Sequence, residues 1–325
     1  MCRRVNNILQ TPTQTHGGAP KATKPSPERA YVPQYTRSTA EEQFDVHQLI
    51  AQIAESQKQT SAKPIRRLRS KKRIIVDIFC GRCSLAKYYL QTDSNAIILC
   101  IDKRPREDAL SEIPAHHLAR VRYVRMNVHK LNVERLKGYL IEMCGASKDA
   151  PLRDIYQLHA SPDCSTYSNC HSQHTAYRFE DGTIDDTIPE WKRKIAEQHD
   201  LLLKVVMQMV REVAWRSPHT LITLENPVGT FHLQPCVRET YDGTTNAKFR
   251  LLETHYCKAA VRRLDGDLPW SKKPTHILIR GGEEDLVLPQ CKNDCPYRLP
   301  DLPDGTPGRH RNVMRLDHNS AQGQV

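Results

Sequence analysis

The sequence predicts an α/β fold in which a mostly parallel sheet carries helices on both faces. Two observations predict it. From Ile74 onward, short apolar runs alternate with helical stretches, the pattern of strands joined by crossover helices. Within the longest helical stretch, Trp191 to about Trp215, the residues Ile195, Leu202, Val206, Met209 and Val213 recur every three to four positions and make one apolar stripe.

The chain before Ile74 has a different character. Residues 1 to about 38 are rich in Thr, Pro, Gln and Ser and hold few large apolar side chains, so burial cannot repay the entropy of ordering, and disorder is expected. Glu41 to Ser56, "EEQFDVHQLIAQIAES", has helical periodicity through Phe44, Leu49, Ile50 and Ile53. "KPIRRLRSKKR", Lys63 to Arg73, then concentrates seven cations and reads as a solvated linker, a nuclear import signal or a phosphate-contacting arm. Residues 1–73 contain 14 Lys and Arg against 5 Asp and Glu, which is +9 of the whole chain's +11. The excess charge therefore belongs to the leader and not to the α/β region.

Strands are expected at Ile74–Phe79, Ala96–Asp102, Val121–Met126, Asp154–Ala160, Thr220–Glu225, Leu252–Cys257 and Thr275–Arg280. Helices are expected after Ser84, at Val133–Met143 and over the long stretch described above. Three parts follow: a basic leader over 1–73, an α/β domain over 74–280, and a short tail over 281–325. No apolar run approaches the roughly 20 residues that cross a bilayer, so no membrane is expected. The eleven cysteines are odd in number and lack framework spacing, which points to an intracellular, reducing compartment. A nucleus is the first expectation, with an organellar or viral origin left open; oligomeric state is not legible.

Parallel sheets of this kind bind ligands beyond the carboxyl ends of their strands, so strand-ending residues are the candidates for chemistry. The first strand ends "DIFCGRCS", where Gly81 lets backbone approach a ligand, although the G-x-G-x-x-G spacing of dinucleotide binders is missing. The second ends at Asp102, a ribose-hydroxyl acceptor or a turn residue, and the third at Asn127, whose amide suits an adenine edge. The fourth delivers "SPDCS", in which Pro162 stiffens the chain before Cys164; the fifth ends "LENP", bringing Glu225 and Asn226 to the adjoining position. A thiol and a carboxyl on one rim make a nucleophile with an acid.

The ordered set "DIFCGRCS", "CIDKRP", "SPDCSTYS", "LENPVGTF" and "HYCKAAVRRLDGDLPWSKKPTHILI" resembles the DNA cytosine-5 methyltransferase family, most closely its compact phage-like members, over about Ile74 to Arg280. The resemblance implies a Rossmann-like class I methyltransferase fold, S-adenosylmethionine as cofactor and DNA as partner, with RNA as the alternative. It also implies the site: Cys164 as nucleophile, Glu225 at the cytosine ring nitrogen, Lys273 where the family usually supplies an arginine, and Asp77, Phe79, Gly81, Asp102, Asn127 and Pro162 along the cofactor. A relative that keeps the fold as an inactive nucleic-acid or cofactor binder is a further alternative. Four departures stand out: Asp163 where the family has a second proline, Cys83 where glycine is common, Asn127 in place of an acid, and the inserted "RRLDGDLPWS". An acid beside the nucleophile is expected to disfavour the thiolate.

Cys291 and Cys295, with His310 or His318, have spacing compatible with a zinc staple in the tail, the alternative being a loop with free thiols. Cys80 and Cys83 form a C-x-x-C pair, but their place on the cofactor turn argues against a metal there. His171, His174 and His199 lack ligand spacing and are read as surface or substrate-side residues.

Overall fold

In the computed structural model the described residues are 72–168, 177–242, 248–255, 274–281, 286–288, 290 and 291. The chain divides into two compact units, Met1–Glu42 and Gln43–Val325, and every described residue belongs to the second. The expected disorder, the helix at Glu41–Ser56 and the basic run as far as Lys71 lie outside the described residues.

Seven strands form one sheet: β1 (Arg73–Ile78), β2 (Ala96–Asp102), β3 (Val121–Arg125), β4 (Ile155–Ala160), β5 (Leu221–Pro227), β6 (Phe249–His255) and β7 (Pro274–Arg280). Their order is β3-β2-β1-β4-β5-β7-β6. The first five run parallel, whereas β7 is antiparallel to both β5 and β6. This is the mostly parallel sheet that the alternation predicts, in the Rossmann-like form that the resemblance implies. Chain order reverses between β1 and β4, and that switch point opens the crevice beyond their carboxyl ends.

Alternate residues of the strands serve opposite faces. Ile74, Val76 and Ile78 of β1 join Leu99, Leu158, Ile222 and Leu224 in one core, under α3 (Val133–Cys144) and α4 (Glu190–Arg216). Ile75, Ile98 and Cys100 join a second core with Leu85, Ala86 and Tyr89 of α1 (Ser84–Thr92), beside the short α2 (Arg106–Ala109). The last described helix, α5 (Pro235–Tyr241), starts on a proline, whose missing N–H costs nothing at a first turn. α3 is capped by the Asn132 side chain, which accepts from the Arg135 N–H at 2.9 Å, and ends on Gly145 at φ 70°, the left-handed stop that glycine permits.

The stripe expected on α4 is offset from the one observed. Val206, Met209 and Val213 are buried, but Ile195 and Leu202 are only half-buried and the neighbouring Ala196 and Leu203 take their place inside. Over 27 residues, about 40 Å of helix, the covering surface turns around the axis, so one straight stripe cannot serve the full length. Arg73 departs from its expected company too. Instead of joining a free basic arm it opens β1, pairs with Asp93 at 2.9 Å and lies over the Tyr156 ring at 5.2 Å.

Leu158 is completely buried at the centre of β4, paired with Val76 on one side and Ile222 on the other. Leu158→Ala is expected to lower unfolding free energy by about 3 kcal/mol, within the 2–5 kcal/mol range for such cavities. Urea denaturation checks this, as a lower midpoint with an unchanged slope.

Candidate active site

The turn after β1 is built from unusual backbone. Phe79, Gly81 and Cys83 all have positive φ, 60°, 54° and 57°. Each non-glycine residue in this region costs roughly 1–2 kcal/mol, so the surrounding contacts must enforce the shape. One of those contacts is visible: the Gly81 N–H donates to Asp102 Oδ2 at 2.9 Å, while Oδ1 accepts from the Arg104 N–H at 2.8 Å. Asp102 thereby joins the ends of β1 and β2, and each of its oxygens keeps a second lone pair. A Cβ built on Gly81 would meet nothing within 4 Å. Open space above bare backbone, beside a carboxylate at the next strand end, fits a ribose-bearing cofactor.

The other cofactor candidates sit less uniformly. Phe79 follows β1 and is half-buried against the core. Asp77 lies inside β1, aligned with Cys100 and His159, and is 2 % exposed. Asn127 is exposed at the end of β3, and its Oδ1 caps the following turn by accepting from the His129 N–H at 3.1 Å. Pro162 is buried on the loop after β4.

That loop carries Cys164 and is held from three directions. The Ser161 N–H donates to the Ile78 carbonyl at 3.2 Å, across the switch point. Asn226, fully buried at the end of β5, donates from Nδ2 to the Pro162 carbonyl at 3.0 Å. Tyr167 and Ser168 donate their N–H groups to the Cys164 carbonyl, both at 3.0 Å, folding the segment into a tight turn that leaves the cysteine half-buried.

Asp163, next to the thiol in sequence, is held by its own turn and by α4. Its Oδ1 accepts from the Ser165 N–H at 2.9 Å, and Oδ2 lies 3.9 Å from His199 Nε2. Burial raises its pKa, but the Ser165 N–H and hydroxyl, with His199 and Lys103, outweigh that and hold the carboxyl below its ordinary range. It acts as the turn's own cap.

Glu225 is 8 % exposed on β5, and its Oε2 accepts from the Ser161 hydroxyl at 3.2 Å. Ser161 in turn lies 3.1 Å from His159 Nε2, and His159 Nδ1 is 2.9 Å from the Thr223 hydroxyl. Hydrogen-bond counting assigns the protons. Because Ser161 donates to Glu225, it accepts from His159 Nε2–H, and Nδ1 accepts from Thr223. Gln157 Nε2 donates to the Thr223 hydroxyl at 3.4 Å, and Tyr89 of α1 donates to Gln157 Oε1. A buried relay thus runs from the helix layer to the carboxylate, every link donating toward Glu225. Sequence reasoning missed this chain, although Gln157 and His159, polar residues at spacing two within the apolar run "IYQLHA", were its only signal.

Anchors behind the thiol come from α4. Thr166 Oγ1 meets His199 Nδ1 at 3.2 Å, and the Tyr167 hydroxyl donates to Asp200 Oδ1 at 2.9 Å. Arg178, 8 % exposed, donates to the same Asp200 oxygen at 2.6 Å and to the carbonyls of Thr166, Gly182 and Ala196, and it covers the Tyr167 ring at 4.6 Å. His199, expected at the surface or on the substrate side, is half-buried against the thiol loop.

Other candidates are not brought into this site. Lys273, Cys295, His310, His318, His171 and His174, like the insertion from Arg262 to Ser271, lie outside the described residues. Cys291 is buried and its N–H donates to His255 Nδ1 at 3.2 Å. A separate groove along the second half of α4, whose lining includes Arg211, Glu212, Trp215 and Cys236, holds none of the strand-ending candidates, and burial pushes its Cys236 thiol up to about 11.

No protein-family model matches the chain, and no curated protein does. Among solved structures it is similar to the methyltransferase EhMeth of Entamoeba histolytica, at 15% identity and a TM-score of 0.40, over 68% of this chain and 57% of that one. It is also similar to a precorrin-6y C5,15-methyltransferase from Geobacter metallireducens GS-15, at 11% identity, TM-score 0.36, over 72% and 88% of the two chains. A third is a 16S rRNA (adenine(1408)-N(1))-methyltransferase mutant from Catenulisporales acidiphilia, at 10% identity, TM-score 0.32, over 72% and 94%. Likenesses this distant carry nothing about the reaction; the Rossmann-like fold rests on the strand order itself.

His276 of β7 stands opposite Asn226 in register and packs edge-on to His232 at 4.7 Å. Burial first, then His232, lower its pKa to about 4. The unfolded chain protonates this ring near 6.5, so between about 6.5 and 4 the fold binds fewer protons and loses stability as pH falls. His276→Gln is expected to remove that part of the loss, roughly 1–2 kcal/mol between pH 6.5 and 5, measured by urea denaturation of both proteins at each pH.

Proposed function

We propose that this protein is an S-adenosylmethionine-dependent methyltransferase that acts on carbon 5 of cytosine in DNA. The observation that carries this reading is the union of two strand ends: the Pro162 carbonyl bonded to Asn226 and the Ser161 hydroxyl bonded to Glu225 join a cysteine loop to a carboxylate, next to the Gly81–Asp102 crevice. Gly81 and Asp102 would hold the cofactor, which when bound supplies an electrophilic methyl group.

The residue types suit the chemistry. Carbon 5 of cytosine is unreactive while the ring stays aromatic. The Cys164 thiolate adds to carbon 6, and Glu225 holds a proton at ring N3, which leaves carbon 5 electron-rich. After alkylation the carbon-5 proton is removed by a base, the carbon–sulfur bond breaks, and Cys164 leaves as thiolate. The relay from Tyr89 to Ser161 fixes Oε2 of Glu225, so the carboxylate meets the base without searching for its orientation. A stacked base hides these atoms, so the target nucleotide must be flipped out or single-stranded.

Incubation with 5-fluorocytosine DNA is expected to trap a covalent adduct that requires cofactor and is absent in Cys164→Ala. Glu225→Gln should slow methyl transfer by about 10²–10⁴-fold, measured by mass spectrometry of nucleosides with a labelled donor. Cofactor binding with no adduct on DNA or RNA would leave only a binding role, and an adduct on RNA alone would move the substrate class.

The charged leader supplies the DNA affinity in this reading. Replacing Lys63, Arg66, Arg67 and Arg69 with Gln is expected to weaken DNA binding and to flatten its dependence on log salt by about 3 to 4 units, roughly 0.9 for each phosphate no longer neutralised. Affinity measured across a salt series checks it.

A further inference from the structure

The sequence alone gives Cys80 and Cys83 no third partner, but the fold supplies one. Cys100, two residues before Asp102 on β2, lies beside them: the three Sγ atoms fall within 4.8 Å of one another, and those of Cys80 and Cys83 are 3.7 Å apart. All three are buried, at 8 %, 0 % and 0 % exposed. A cation that holds thiolates at about 2.3 Å separates two sulfurs by about 3.8 Å in tetrahedral geometry and about 4.0 Å in trigonal geometry. The Cys80–Cys83 spacing meets that demand, and the pairs to Cys100, within 4.8 Å, come to it by a side-chain adjustment of at most about 1 Å. The two Cys of a C-x-x-C turn chelate from one loop, and a third ligand from the neighbouring strand closes the set.

The surroundings select the kind of ion. Ile75, Leu85, Ala86 and Ile98 share the second core with the sulfurs, and the charges of Asp77, Asp102 and Lys87 act on them. Three buried soft donors favour a polarisable closed-shell cation over an oxygen-seeking one. Packing alone has no need of three sulfurs converging on one point, since a buried cysteine otherwise behaves as a small hydrophobe.

We propose that Cys80, Cys83 and Cys100 bind one thiophilic d10 cation, copper(I) or zinc(II), beneath the turn that carries Gly81. Each coordinating thiol releases its proton to solvent and no electron is transferred. The ion cross-links the turn to β2 and so holds the Gly81 N–H on Asp102. None of this depends on the methyl-transfer reading.

The test uses the full chain, reduced and stripped with chelator, then titrated without oxygen with zinc(II) and, separately, with copper(I) against a chromophoric competitor. One ion per chain is expected from at least one of the two, and the tighter arm identifies the cation. Cys100→Ser should lose more than about 100-fold in affinity, beyond what disturbing an outer shell costs, whereas Cys144→Ser and Cys291→Ser should bind as the unaltered chain does. Should Cys100→Ser fail to fold, alkylation of the unaltered chain followed by peptide mass spectrometry decides: the ion should shield Cys80, Cys83 and Cys100 together. Stoichiometric binding lost in Cys291→Ser, protection of other cysteines, or no binding of either ion overturns the proposal.

Discussion

One hydrogen bond organises this molecule's rim. Asn226 sits at the end of a strand where its backbone is already engaged with β7, and its side chain reaches across to the Pro162 carbonyl. Proline lacks an N–H, so the loop it begins cannot secure itself by extending the sheet, and its carbonyl is the group left to hold. A buried carbonyl without a partner costs about 1–3 kcal/mol, and the same penalty keeps the loop from leaving once the bond exists. Cys164 thus inherits its position from a residue 62 places later in the chain.

The same logic orders the polar interior. Tyr89, Gln157, Thr223 and His159 are buried and Ser161 is half-buried, and each is bonded to the next. Such a chain is costly to build half-complete, so it specifies one arrangement of α1, β4 and β5. At the opposite wall the left-handed backbone of Phe79 and Cys83 stores strain, and the Gly81–Asp102 bond is one of the contacts that opposes its release.

Much of the fold was legible because burial on both faces of a parallel sheet writes itself as continuous apolar runs. Ala96–Asp102 coincides with the observed strand, and the other boundaries fall within a few residues. Local pattern also placed Cys164 and Glu225 on adjoining strand ends. What it could not show depends on contacts between residues distant in sequence. The resemblance sets Asp77 along the cofactor, and only the register shows that the last pair of β1 lies beyond it and that it is buried. Asp163 reads as a like charge beside a thiol, and what the sequence hides is the Ser165 N–H that the turn presents to it and that keeps the charge in place. Cys100 is hidden among the hydrophobics of its own strand, and only the parallel pairing of β1 with β2 brings it to Cys80.

Arg178 has a consequence for how such a chain can diversify. Together with Tyr167, Thr166 and Asp200 it pins both Ser168's end of the nucleophile turn and the segment that resumes at Tyr177 to a single rigid helix. So long as those four side chains persist, the turn keeps its footing on α4, and the surface around them can drift by descent while the sulfur stays where it stands.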